Sequence, residues 1–423
     1  MSITLLGNVA VPLAGLVTAP VLAQSLGVDG RGTVAAAIAP TLLAVSLVTL
    51  GLPEALTYYS TRISARWRAI VVSVLFTLAG TGAVSVGIIA ALAMPLAAGV
   101  PGLDKLMVLA SMIVVPTLIQ TALRGIAAGR RAWWRITFER ITNSTARMVT
   151  VVALALTDSL DITTGTIAMA FSTCVGLIAY VRLPRRQTSA AASPHAFSNV
   201  ISYGSRIWLG SLSGVVLARL DQTLMVVLAS TYDLGLYVVA VTVSEMVLVV
   251  NSSIRDVVFA IESGGTDDNR IAAASRVSTL ITACGCIAIG LLSIWAVPFF
   301  FGEDFAGAIP LIWVLSLGIV LGNPGSVAGI GLTSRGRPGL RSVSLAIAAL
   351  CNVAILIVLT PLVGAMGAAL ATVAGNIVAG LLNVIWMNRY CGVPMSSFYG
   401  IRSTDVRTAV AVVHRFISRG KFH

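Results

Sequence analysis

The sequence predicts an all-α membrane protein: twelve transmembrane helices in two six-helix halves related by a pseudo-two-fold axis. Three observations predict it. Twelve apolar stretches are each about 20 residues or longer, enough to cross a hydrocarbon core of about 30 Å. Basic residues gather in every second connection between these stretches. The two halves carry similar motifs in the same order. Composition agrees, with 57% hydrophobic and 10% charged residues. A soluble domain carries about 25% charged residues, so this chain cannot clothe itself for water.

The stretches lie near 3–24, 33–59, 70–96, 106–127, 137–157, 162–181, 203–229, 235–259, 274–299, 307–331, 342–360 and 364–387. The first begins at Ile3 without a basic leader and is expected to be a span, not a cleaved signal. One set of loops holds Arg62, Arg66, Arg68, Arg130, Arg131, Arg135, Arg182, Arg185, Arg186, Arg270, Arg276, Arg335, Arg337 and Arg341. The tail adds Arg389, Arg402, Arg407, Arg415, Arg419 and Lys421. The alternate loops hold only Arg31 and Lys105, against Asp29, Asp104, Asp158, Asp161, Asp233, Glu303 and Asp304. The positive-inside rule then places both termini in the cytoplasm, which suits an even number of spans. The bases are Arg except Lys105 and Lys421, in a chain rich in Ala, Val and Gly, which points to a GC-rich bacterial genome and an inner or plasma membrane. The net charge of +12 does not imply nucleic acid. Most bases sit in short juxtamembrane loops, where they orient the chain and meet anionic membrane lipids.

The domain boundaries follow from the longest connection. A Ser/Ala/Pro-rich cytoplasmic linker over 183–202 separates an N-terminal bundle, 1–182, from a C-terminal bundle, 203–387. The tail 388–423 is too polar to span. Within it Ser403 is placed to cap a helix over about 404–418, with Val406, Val410, Val413 and Ile417 on one face; it either lies on the membrane or frays. The repeat evidence is in the turns. Leu26-Gly27-Val28-Asp29-Gly30-Arg31-Gly32 precedes one long span and Ser230-Thr231-Tyr232-Asp233-Leu234-Gly235 precedes another, aligning Gly32 with Gly235. Gly129-Arg130-Arg131 pairs likewise with Gly336-Arg337-Pro338. Six spans per half keeps the same orientation, which is the parallel kind of repeat.

Charge at bilayer depth costs at least about 2.5–3.5 kcal/mol per residue, so such groups need a cavity or a partner. The candidate acids are Glu54, Glu139, Asp221, Glu245 and Asp256; the candidate bases are Arg124, Arg140, Arg147, Arg206, Arg219 and Arg255. Arg140, Asn143, Ser144 and Arg147 share one side of their span, and Arg147 lies about 10 Å deeper than Arg140 by helix rise. It is expected to line a cavity. Arg219 and Asp221 are two apart and point in different directions, so they are expected to have separate partners. Arg206 lies near the cytoplasmic end of the same span. Glu245 is the acid nearest mid-span: it either titrates or carries a cation for transport, or it is a protonated group bonded to a neighbouring helix. Glu54, after Pro53, is equally open between function and packing. Gly322-Asn323-Pro324-Gly325-Ser326 either breaks its helix at a transport site or kinks it for packing. Gly364, Ala368, Ala371 and Gly375 form a small-residue packing face. There is no glycine-rich phosphate loop followed by Lys-Ser/Thr and no His/Asp/Glu cluster outside the membrane, so neither an ATPase nor another enzyme, nor a metal or other bound cofactor, is expected.

The segment Leu26 to Ala55, Tyr203-Gly204-Ser205-Arg206, Arg219-Leu220-Asp221-Gln222, Leu234-Gly235-Leu236-Tyr237, Gly336 to Arg341 and Gly364 to Ala369 resemble, in order and spacing, the Wzx-type oligosaccharide flippases. These belong to the multidrug/oligosaccharidyl-lipid/polysaccharide exporter superfamily. The resemblance covers nearly the whole chain. It implies two bundles around a central cavity, alternating access, and movement of an undecaprenyl-pyrophosphate-linked glycan, with polysaccharide polymerase and glycosyltransferases as possible associates. It also implies a cationic lumen, assigned here to Arg147, Arg206 and Arg219 with Asn143, while Glu54, Asp221 and Glu245 hold the arginines or carry a coupling H+ or Na+. The related lipid II flippases have additional spans, and the related drug exporters rely on an acid in the first span, which this chain lacks.

Overall fold

A computed structural model describes residues 2–60, 67–181, 196–248, 268–400 and 402. Every regular element among them is helical. They are α1 (Ser2–Leu47), α2 (Leu52–Tyr59), α3 (Trp67–Ala97), α4 (Leu103–Ser111), α5 (Val114–Gly129), α6 (Trp133–Leu156), α7 (Ile162–Val175), α8 (Ala196–Leu228) and α9 (Thr231–Ser244), followed by α10 (Asp268–Phe301), α11 (Ala308–Ser334), α12 (Pro338–Val363) and α13 (Ala365–Cys391), with short 3-10 turns at Gly176–Tyr180, Glu303–Phe305 and Met395–Phe398.

Ten segments of the described chain are long and apolar enough to cross a membrane. Two of the expected crossings are hidden in that number. Ala10–Leu47 counts as one segment, but Gly27 inside it has φ 68° and ψ −176°, a conformation open to glycine and barred to most residues, so α1 is two arms. The other is α6, whose Arg135, Glu139, Arg140 and Arg147 dilute its hydropathy. With both restored, the twelve crossings read from the sequence are present. Outward faces carry apolar side chains: Phe76 and Met94 on α3 are 74% and 78% exposed, and Trp295 and Phe299 on α10 are likewise exposed. Such a surface is stable only against lipid.

The chain packs as two units, Met1–Val238 with Phe300–Asp304, and Val239–Phe299 with the remainder from Phe305. Packing therefore assigns α8 and the start of α9 to the first unit, whereas the sequence division at 183–202 assigns them to the second. The reason is the closeness of helix crossings that only glycine permits. A Cβ on Gly32 would fall 1.8 Å from the Thr231 carbonyl oxygen, and one on Gly235 would fall 2.2 Å from that of Val28. Each glycine thus meets the residue one turn before the other, a reciprocal contact of the kind a local two-fold makes. These are the two glycines that the repeat alignment pairs. Asp29 reinforces the crossing by accepting a hydrogen bond from Thr231 Oγ1 at 2.9 Å. Near the other end of the second arm, Gly51 abuts Gly204, Trp208 Nε1 donates to the Leu47 carbonyl, and Tyr58 stacks on Tyr203 with ring centroids 4.6 Å apart.

In the second unit, Gly318, Gly322, Gly325 and Gly329 of α11 form one stripe against Val373, Asn376, Gly380 and Asn383 of α13. The Asn323-Pro324 motif therefore does not break α11, which runs through Pro324; it serves packing. Ala368, Ala371 and Gly375 are buried, as a packing face requires. Ile271, Val327, Leu332, Val384, Met387 and Phe398 close one end of this unit. The tail helix expected over 404–418, the linker 183–195, and Arg255 and Asp256 lie outside the described residues.

Candidate functional site

The charged groups at depth in the first unit fall into two kinds. The first is neutralised. Glu139 of α6 is 0% exposed. Arg124 of α5 reaches it with both arms of its guanidinium: Nε donates to Oε2 at 3.0 Å and Nη2 donates to Oε1. The Tyr180 hydroxyl donates to Oε2. Arg135 Nη1, nearby, donates to the Ala179 carbonyl at 3.1 Å. The fork of Arg124 suits a carboxylate bidentately, so this cluster ties α5, α6 and the turn after α7 together. Asp221 of α8 has hydrogen-bond partners but no paired cation. It is 5% exposed; Tyr237 of α9 donates its hydroxyl to Oδ2, and Oδ1 accepts from the Gln222 N–H at 2.7 Å. Arg219, two residues away, is exposed.

The second kind is unneutralised. Arg147 of α6 is half-buried and its Nε has no hydrogen-bond partner. Arg31, the fourth residue after the Gly27 break, is 6% exposed, and its Nε is also unpartnered. Among the described residues, no carboxylate pairs with either. Sequence reading put Arg31 in a loop facing water. The structure corrects this: Arg31 lies within α1 and is buried. The signal was present in Gly27 and in the glycines flanking Arg31. They let the second arm fold back tightly and cross α9 at van der Waals distance.

The other predicted residues are placed as follows. Asn143 Oδ1 accepts from the Gly176 N–H at 2.7 Å, so its carbonyl serves the α6–α7 contact. Glu54 is exposed in the first turn of α2. Arg206 is exposed on α8. Glu245 is exposed, at a one-residue interruption just after α9. The structure thus brings Glu139 to Arg124 and Asp221 to Tyr237. It does not pair Arg219 with Asp221.

Fold and charge together define a class: a polytopic helical membrane protein with the architecture of membrane exporters and flippases. Residues 1–261 match the model of the family described as polysaccharide biosynthesis protein, and the chain belongs to that family. Among solved structures, it resembles the lipid II flippase MurJ in an inward closed conformation, with a TM-score of 0.76 at 13% identity over 100% of this chain and 94% of that one. It also resembles an inward-facing multidrug resistance transporter of the MATE family in the MOP superfamily, with a TM-score of 0.73 at 14% identity over 93% and 98% of the two chains. A MOP superfamily transporter from Pyrococcus furiosus, whose binding pocket is described as of reverse polarity, matches with a TM-score of 0.57 at 14% identity over 94% and 95%. Comparison with curated sequences finds no match.

Proposed function

We infer that this protein is a flippase that carries an undecaprenyl-pyrophosphate-linked oligosaccharide across a bacterial cytoplasmic membrane by alternating access, with both termini in the cytoplasm. The observation that supports it best is Arg147, an arginine inside its span with no carboxylate partner, in a member of a polysaccharide biosynthesis family. A diphosphate and its sugars cannot cross hydrocarbon, and arginine binds phosphate oxygens through a bidentate fork. The lipid tail stays in the bilayer. The protein moves its substrate without making or breaking a covalent bond. Arg147 and Arg219, with Arg206 and Asn143, are assigned to substrate. Asp221 positions α8 through Tyr237, and Glu54 and Glu245 are assigned to coupling to H+ or Na+ or to structure. Glycosyltransferases and a polysaccharide polymerase are the partners this activity needs.

The experiment is glycan export in cells that depend on this chain. Arg147→Ala and Arg219→Ala should each abolish export while folded protein persists, and Lys at either site should restore it only in part, because an ammonium keeps the charge without the fork. Wild-type export by Arg219→Ala inserted at normal levels would refute its assignment. The likeness to a drug transporter favours one second reading, a cation-coupled drug antiporter. That reading requires drug-dependent proton or sodium exchange in proteoliposomes, which a glycan flippase lacks.

A further inference from the structure

Helix α2 is held between two neighbours by backbone contact. On one side lies α5, where a Cβ on Gly125 would fall 2.2 Å from the Pro53 carbonyl oxygen and one on Gly129 would fall 2.3 Å from that of Thr57. Thr57 Oγ1 adds a bond to the Gly125 carbonyl at 2.9 Å. On the other side lies α8, where a Cβ on Gly51, just before α2, would fall 2.1 Å from the Gly204 carbonyl oxygen. At the far end of the second arm of α1, Gly32 and Gly235 close on Thr231 and Val28 in the same way. The turn Phe300–Asp304 is drawn in as well, because Gln24 Nε2 donates to the Phe300 carbonyl at 2.9 Å. Helix α8 is thus fastened to the first bundle near both of its ends, at Gly204 and just beyond Leu228.

Contacts that open during a functional motion come from the weakly packed parts of a protein. These crossings are of the other kind. Val34, Ala37, Leu234 and Tyr237 are buried beside the Gly32 crossing, and Leu52, Leu56 and Gly204 are buried at the Gly51 crossing. Nor can the helices slide. Glycine lets two backbones touch, and the neighbours of these glycines carry side chains, Arg31 and Thr33 at one crossing and Tyr203 and Ser205 at the other. A shift of one residue would drive such a side chain into the opposing backbone. Each crossing therefore holds a single register.

We propose that α8, the first turns of α9 and the turn Phe300–Asp304 move as one body with α1–α7 throughout transport, so that the moving bodies are not the two sequence repeats. The role in transport rests on the alternating-access reading above; the integrity of the body does not. Arg206 and Arg219 of α8 then keep fixed distances from Arg147 of α6. The change of affinity that releases a substrate comes from residues outside this body.

The test is a pair of cross-links in an otherwise cysteine-free full chain. Asp29→Cys with Thr231→Cys bridges the Gly32 crossing, where the native side chains are 2.9 Å apart. Tyr58→Cys with Tyr203→Cys bridges the Gly51 crossing, where the rings stack. Copper-phenanthroline oxidation should join each pair, and glycan export should show no loss of rate against the same cells after reduction. Export that stops on oxidation and returns on reduction makes that crossing a gate and overturns the proposal. Failure of either pair to join, by oxidation or with a short bismaleimide, overturns it too. Should a cysteine pair fail to fold, a measurement on purified protein decides, and it needs no substrate. Spin labels at Val84→Cys on α3 and Val227→Cys on α8, both exposed positions, should give one narrow distance by pulsed electron resonance in detergent and in nanodiscs alike. Two distances or a broad spread would dissolve the body. One narrow distance in a chain that exports no glycan would leave the body intact and remove the flippase reading.

Discussion

Glu139 shows how a full charge is kept at bilayer depth. Its carboxylate is 0% exposed, while its partner Arg124 is 37% exposed. Removing one member of a buried pair costs about 3–5 kcal/mol, because the survivor keeps its charge without a partner. The two members are not equivalent here. Arg124 can turn toward polar surroundings, and Glu139 cannot. Arg124→Met should therefore lower the melting temperature of the purified protein more than Glu139→Gln does, and the double variant should recover part of the loss. Equal losses, or the reverse order, would show that the pair is not what holds α5 to α6. The same contrast separates Asp221, satisfied by Tyr237 and Gln222, from Arg31 and Arg147, whose needs the protein leaves open.

At the scale of elements, glycine decides how near two helices come. A methyl on Gly32 would sit 1.8 Å from the Thr231 carbonyl, and one on Gly325 would sit 1.9 Å from Gly380 Cα. Backbone cannot yield as a flexible side chain can, so Gly32→Ala and Gly325→Ala should each destabilise by about 1–3 kcal/mol. Gly80→Ala on α3, where a Cβ meets nothing within 4 Å, should be neutral. Folded yield by size-exclusion chromatography and thermal melting would order the three. Helix ends give a second test. Asp161 caps α7 in a reciprocal box with Thr164. The bonds from the Thr164 N–H and hydroxyl hold its carboxyl below the ordinary carboxylate range. Loss of such a cap costs about 1 kcal/mol. The lowered value means that this contribution is present at neutral pH and disappears as acid protonates the carboxylate. Asp161→Ala should thus melt lower than wild type at neutral pH, and the gap should close in acid. A gap independent of pH would place the effect outside the cap.

At the scale of the molecule, topology is the testable consequence of charge. A membrane-impermeant thiol reagent added to intact cells should label single cysteines at Asp158 and Glu303 and spare one at Arg337, in an otherwise cysteine-free chain. Labelling of position 337 from outside would invert the orientation and with it the direction of transport. The glycine pair that the sequence alignment matched, Gly32 and Gly235, meets itself reciprocally in space, which is how a repeat in sequence becomes a crossing in structure.

The sequence by itself determined the solvent, the helices and their number. Hydropathy, length and the alternation of basic loops are local properties, readable one segment at a time. It also marked which residues carry charge at depth, Arg147 and Asp221 among them. Only the tertiary structure decided what those charges meet. Arg124 and Glu139 read as two separate liabilities and fold into one neutral cluster. Gly322 to Ser326 reads as a break and becomes a packing stripe. Arg31 reads as a loop cation and ends buried within α1. Hydropathy adds up along the chain, but a buried charge is settled by the few atoms within hydrogen-bonding reach, and those come from helices far apart in sequence.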